Sequence, residues 1–177
     1  GCISKAILEA EKNCSPAKIG FGEFPTKKLV FNRLITQMAH LPDSLGEVDS
    51  LMRIVKIEKD NGQKAAIITF AAHCTVFHQD LMSISGDWGG MMMTRLNESG
   101  KINFSSFSAG AVGSHGPYEF SKDQEEEANY MAYNMAEIVE QHFDSIATDY
   151  VSTLNMVHLP LYLREPGYYE YVATIEP

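Results

Sequence analysis

The chain has 177 residues, 45% hydrophobic and 21% charged, which is long enough for one domain with a substantial core and too apolar for a disordered segment. Its formal net charge of -9 argues against nucleic acid as a main partner, because phosphate binding needs a basic face. No run approaches the roughly 18 apolar residues of a membrane span, and the three cysteines, Cys2, Cys14 and Cys74, show neither even number nor CxxC spacing, which disfavours a disulfide framework or a cysteine-rich zinc site.

Taken in chain order, Ile3, Ala6, Ile7 and Ala10 recur at helical spacing over residues 3–13, and Ser15-Pro16 ends the run. Lys18 to Phe24 alternates like a strand that Pro25 stops. Residues 26–46 read as a long irregular segment, a length that usually marks function or disorder. Val48 to Lys59 and Lys64 to Ala72 read as antiparallel strands joined by Asp60-Asn61-Gly62, since Asn-Gly readily supplies positive φ. A helix is expected over Gly90 to Glu98 with Gly100 as its stop, and a strand over Ile102 to Ser108.

Gly110 to Pro117 reads as a flexible glycine-rich loop. Ser121-Lys-Asp-Gln124 is a capping-box pattern that opens the clearest helix, with Ala128, Met131, Met135, Ile138 and Val139 as its buried stripe. The acidic block Asp123 to Glu127 suits the first turn of that helix. Leu154 to Leu163 is a β-like run broken by Pro160, and Tyr168 to Ile175 is aromatic and strand-like. Residues 1–177 therefore read as a single α/β domain, or one continuous piece of a larger one, built on a mixed β-sheet with flanking helices.

Six histidines are candidates for chemistry, and none forms HExxH or another self-sufficient ligand pair. His142 late in the long helix suits a dipole contact, and His158 in an apolar run suits a packed strand position. His40 in the long segment carries no signal. His73 differs: it stands at the C-terminal end of the apolar run Ala65 to Ala72, where α/β domains commonly gather ligand groups. His73 and His78 flank the polar, glycine-containing stretch Ser85-Gly-Asp-Trp-Gly-Gly90 on its N-terminal side, but a catalytic zinc needs three protein ligands and no trio is evident. Ser114-His115 is not a GxSxG elbow, and adjacent side chains are expected to diverge rather than pair; Cys74 beside His73 reads as a small packed residue.

Together these residues resemble the neutral/alkaline non-lysosomal ceramidases over most of residues 3–117. The likeness rests on several ordered elements. Ala6 to Gly22 is similar to the family's Ala/Glu-rich helix, proline and I/V-G-x-G strand. Asn32-Arg33 resembles its Asn-Arg-Ser element, with Leu34 in place of serine, and Val48-Asp49 its V-D strand opening. Phe70, Ala71, His73 and Thr75 match F-A-x-H-x-T, and Ser85, Gly86, Asp87 and Gly90 match S-G-D-x-x-G. Gly113 to Pro117 lines up with G-D-V-S-P-N, which puts Ser114 at the aspartate, His115 at the valine and Gly116 at the serine.

The resemblance implies part of a layered α/β hydrolase domain and a zinc amidase that splits the N-acyl bond of ceramide, or of another N-acyl lipid-like substrate, into amine and fatty acid. It implies that His73 is a zinc ligand and that Arg33 lies near the substrate, where a planar cation can hydrogen-bond an amide oxygen or carboxylate. Zinc would polarise the carbonyl and activate a water. Asn32 and Ser114 become candidate substrate-binding residues, and His115 a candidate proton donor in place of the family's hydroxyl. In the family the first zinc histidine belongs to an upstream T-H-T-H motif and the remaining ligands, a glutamate and a tyrosine, lie downstream; Glu165, Glu170 and Tyr168 are the candidates here. An extracytoplasmic location, a membrane-surface association and a homo-oligomer belong to the same set of expectations. The alternative is an inactive relative or fragment that serves as a binding or structural module, and an unrelated serine hydrolase using Ser114 is a third reading.

Overall fold

Alternation and turn chemistry decide the central sheet. The computed structural model describes residues 1–33, 48–78, 81–151, 153, 155–160 and 162. In chain order the elements are α1 (Cys2–Lys12), β1 (Ala17–Pro25), β2 (Val30–Asn32), β3 (Leu51–Lys59), β4 (Lys64–Phe70), α2 (Asp87–Glu98), β5 (Phe104–Ala109), β6 (His115–Pro117) and α3 (Gln124–His142), followed by a 3-10 turn, Phe143–Ser145. The first sheet has four strands in the order β1-β3-β4-β5, and β2 pairs with β6 in a separate two-stranded sheet. β1, β3 and β4 run antiparallel in turn, while β5 lies parallel to β4 after the crossover through α2. The α/β class and the mixed sheet expected from the sequence are what the chain adopts.

The Asn61-Gly62 turn joins β3 to β4 as expected, with Gly62 at φ 86 and its N–H donating to the Lys59 carbonyl at 2.9 Å. One face of the sheet is covered. Met52, Ile54, Ile68 and Phe70 meet Trp88, Met92 and Leu96 of α2 and Met131, Met135 and Val139 of α3, all within one buried cluster. Trp88 anchors that core, packing edge-on to Phe70 and Phe107. The alternate residues turn the other way, and there Phe21 (73%), Phe104 (60%) and Ile67 (39%) stand exposed.

Glycines in β1 serve a close approach. A Cβ at Gly20 would strike the Ala147 carbonyl, and one at Gly22 would lie 3.0 Å from the Ile146 side chain. The segment after α3 thus lies against β1, where Ile19 and Asp149 form an antiparallel bridge.

Several expectations are corrected. The glycine-rich stretch before Pro117 is not loop throughout, because its last residues form β6. The N-cap of α3 is Asp123 rather than Ser121: Asp123 accepts from Glu125 N and Glu126 N, while Ser121 Oγ accepts from Asp123 N. Glu127 is not solvated like the rest of its acidic block. It is 5% exposed, and its Oε1 accepts from the main-chain N–H groups of Phe120 and Ser121. His142 does hold the expected place in the last turn of α3, and it also stacks on Phe24 with ring centroids 4.3 Å apart. Residues 155–160 form no strand, and His158 is exposed. His40, Tyr168, Glu165 and Glu170 lie outside the described residues.

Candidate active site

Strand directions gather the candidates at one end of the four-stranded sheet. The register sets Pro25 beside Leu51, and the ends of β4 and β5, Phe70 and Ala109, beside each other. Because β3 runs antiparallel to β1 and β4, the exit of β1, the entry of β3 and the exits of β4 and β5 fall together. Asn32 and Arg33 follow β1, Asp49 precedes β3, His73 follows β4, and Ser114 and His115 follow β5. This is the end at which α/β sheets commonly bind ligands.

The short β2–β6 ladder then joins residues far apart in sequence. Asn32 sits opposite His115, and Arg33 N–H donates to the Ser114 carbonyl at 2.8 Å. Phe31 lies opposite Gly116, its ring folded over the glycine, and the Arg33 Cγ approaches the same spot. Arg33 is exposed, whereas Asn32, Ser114 and His115 are half-buried.

Ser114 and His115 do meet, contrary to the expected divergence: Ser114 Oγ lies 2.9 Å from His115 Nδ1. The other ring nitrogen, Nε2, accepts the Asp49 main-chain N–H at 3.0 Å. A neutral imidazole carries one proton, so an accepting Nε2 assigns that proton to Nδ1. In this state His115 cannot take a proton from Ser114, and the pair does not form a nucleophile and its base. Asp49 is the partner that the sequence reading noticed only as a strand opening. Its carboxylate receives Arg53 Nη1 at 2.8 Å, and that bond, ahead of opposing burial, holds its pKa below the usual carboxylate value. Arg53 also bonds Glu23 at 2.9 Å.

His73 is at the same end but is held differently. It is half-buried, and its carbonyl accepts the Trp88 indole N–H at 2.9 Å. Among the described residues no group of three or more His, Cys, Asp or Glu side chains could hold a metal ion. His73 thus belongs to no such group, and the described residues alone do not fit a zinc site.

The Ser85-Gly86-Asp87 motif is a structural clasp. Asp87 has φ 53, its carboxylate receives Phe77 N–H at 2.9 Å and Trp88 N–H at 2.7 Å, and its own N–H donates to Ser85 Oγ at 3.0 Å. Cys74 packs behind it against Gly89, where burial pushes the thiol up to about 11 and leaves it a poor nucleophile. A groove of about 580 Å³ between α2 and α3, lined by Ser85, Met91, Arg95 and Tyr133 among others, contains none of the five candidate residues.

No family model matches the sequence, and no curated protein matches it. Four chains among the solved structures do, two ceramidase structures among them. Neutral ceramidase from Pseudomonas aeruginosa aligns with a TM-score of 0.65 at 17% identity, over 77% of this chain and 24% of that one. A structure described as ceramidase complexed with C2 aligns with a TM-score of 0.64 at 16% identity, over 76% of this chain and 23% of that one. The chain spans about a quarter of the length of the ceramidase chains it matches, and over three quarters of its own length it has their fold.

Proposed function

We propose that this chain carries part of the active site of a ceramidase-like amide hydrolase that acts on ceramide or another N-acyl, lipid-like substrate. The observation that carries the reading is the convergence of Asn32, Arg33, His73, Ser114 and His115 at one end of the sheet, with four of them joined through the β2–β6 ladder. Arg33 is the substrate-polarising group: a planar cation beside the ladder suits the acyl oxygen and the carboxylate product. Asn32 and Ser114 contribute polar contacts to the same substrate. Zinc is the cofactor of this reading, with His73 its ligand from the described part of the chain and further donors to come from elsewhere. When bound, zinc supplies Lewis-acid polarisation and an activated water. The reading carries an extracytoplasmic location and contact with a membrane surface, where such substrates reside.

The test measures zinc per chain and hydrolysis of a fluorogenic N-acyl substrate for the wild type, His73→Ala and Arg33→Ala. Expected are about one zinc per chain lost in His73→Ala, and a fall in kcat/KM of roughly 100-fold in Arg33→Ala. Ligand binding without turnover or zinc would instead establish a non-catalytic binding module. Labelling of Ser114 by a fluorophosphonate would establish a serine hydrolase.

A further inference from the structure

We infer that His115 is a positioning residue: locked as the Nδ1–H tautomer, it turns the Ser114 hydroxyl into a directed hydrogen-bond donor for an acyl oxygen beside Arg33. The inference rests on the substrate class proposed above, and it replaces His115 as a proton donor with Ser114 as an oxygen-binding group.

Two bonds carry it. Asp49 N–H occupies the Nε2 lone pair at 3.0 Å, which assigns the ring proton to Nδ1. That proton faces Ser114 Oγ at 2.9 Å. A hydroxyl that accepts at one lone pair still has its own hydrogen to give, and its rotation is now restricted. The Ser114 main chain is separately tied to Arg33, whose N–H donates to the Ser114 carbonyl at 2.8 Å. Hydroxyl and guanidinium thus belong to the residues that flank the β2–β6 ladder at one end, and both are donors. The shared chemistry is an acyl sp² oxygen, carried by an amide substrate and by its carboxylate product.

The charges around the imidazole are consistent with this use. Asp49, a carboxylate whose charge acts on His115, is bound by Arg53 at 2.8 Å, and Arg53 also binds Glu23. The Asp49 carboxylate therefore already has a guanidinium partner, one that it shares with Glu23. The main-chain contact fixes the ring whether or not Asp49 is ionised, because the donor is its N–H.

The test uses the whole chain, ¹⁵N-labelled at histidine, with octanoate as a carboxylate probe. The imidazole ¹⁵N shifts report the tautomer without any turnover, so failure of the hydrolase reading leaves this measurement intact. Expected is the Nδ1–H form for His115 in the wild type and in Ser114→Ala, because Asp49 N–H remains in place. Octanoate binding should weaken about tenfold in Ser114→Ala and be retained in Ser114→Thr, which keeps the hydroxyl. A purely structural serine would leave octanoate affinity equal in all three. That result, an Nε2–H tautomer at His115, or a wild type that binds no octanoate would each overturn the inference.

Discussion

Asp87 shows how much structure one side chain can carry. Its backbone lies in the left-handed region, which an ordinary residue enters only at a cost and which short polar side chains tolerate best. Its carboxylate, in a residue only 6% exposed, binds the N–H groups of Phe77 and Trp88, so it ties the chain after β4 to the first turn of α2. Asp87→Ala removes both acceptors and leaves two N–H groups short of a partner. The expected loss is about 3 kcal/mol of unfolding free energy. Asp87→Asn keeps one acceptor oxygen and the tolerance for positive φ, so it should cost about half as much. Urea denaturation of the two variants checks this; equal midpoints would remove the clasp from the account. The sequence offered Ser85-Gly86-Asp87 only as a polar, glycine-containing stretch and a motif of the resemblance, with no role assigned. Its geometry is structural, and the signal that could have shown this is Ser85 two residues before Asp87, the spacing of a local hydrogen-bonded turn.

Elements were legible where local patterns make them. Alternation marked β1, an apolar run marked β4, the Asn-Gly turn joined it to β3, and the spacing of Ala128, Met131 and Met135 marked α3. The β2–β6 ladder was not legible. Each strand has three residues, too few to show a period, and the partners lie more than eighty positions apart. The resemblance supplied Asn32-Arg33 and Gly113 to Pro117 as separate motifs, but not their pairing. Pairing also explains why glycine occupies position 116. The Phe31 ring lies over it, and any Cβ would come within 2.7 Å of Phe31 Cε1. Gly116→Ser, which introduces the serine of the motif this stretch resembles, should therefore overpack the ladder and cost about 1–3 kcal/mol. Phe31→Ala should relieve most of that cost when the two are combined, because the clash is between those two side chains. Thermal unfolding of both single variants and the double variant gives the coupling, and strict additivity would show that the ring is not what excludes a side chain.

At the scale of the molecule, the end of the sheet opposite the candidate site is bound by charge. Lys56, in the buried face of β3, donates to the Ile146 carbonyl at 3.2 Å and pairs with Glu58 at 3.1 Å. Glu58 also accepts from Thr148 Oγ1 at 2.6 Å and faces Lys64 at 3.8 Å. Lys64 and Lys101 both reach Asp144, at 3.7 and 3.0 Å, so the network joins the strands to the turn after α3. The Thr148 hydrogen bond, then those to Lys56, hold Glu58 below its usual pKa of 4.5; the Lys101 bond holds Asp144 below 3.8. A carboxyl whose folded pKa is depressed stabilises the fold above its unfolded pKa and loses that contribution as pH falls through the folded value. Stability should accordingly be level from pH 7 to about 5 and decline below about 4.5, as the unfolded chain takes up protons first. Asp144 is exposed and screened, while the Glu58 side chain is 27% exposed and accepts a hydrogen bond, so Glu58 should dominate the slope. Glu58→Gln should be less stable than the wild type at pH 7, and the two should converge towards pH 3. Urea midpoints measured across that range decide it. A variant whose midpoint parallels the wild type at every pH would mean that the acid sensitivity arises elsewhere, with the Arg53-bound Asp49 at the site end the next carboxylate to substitute.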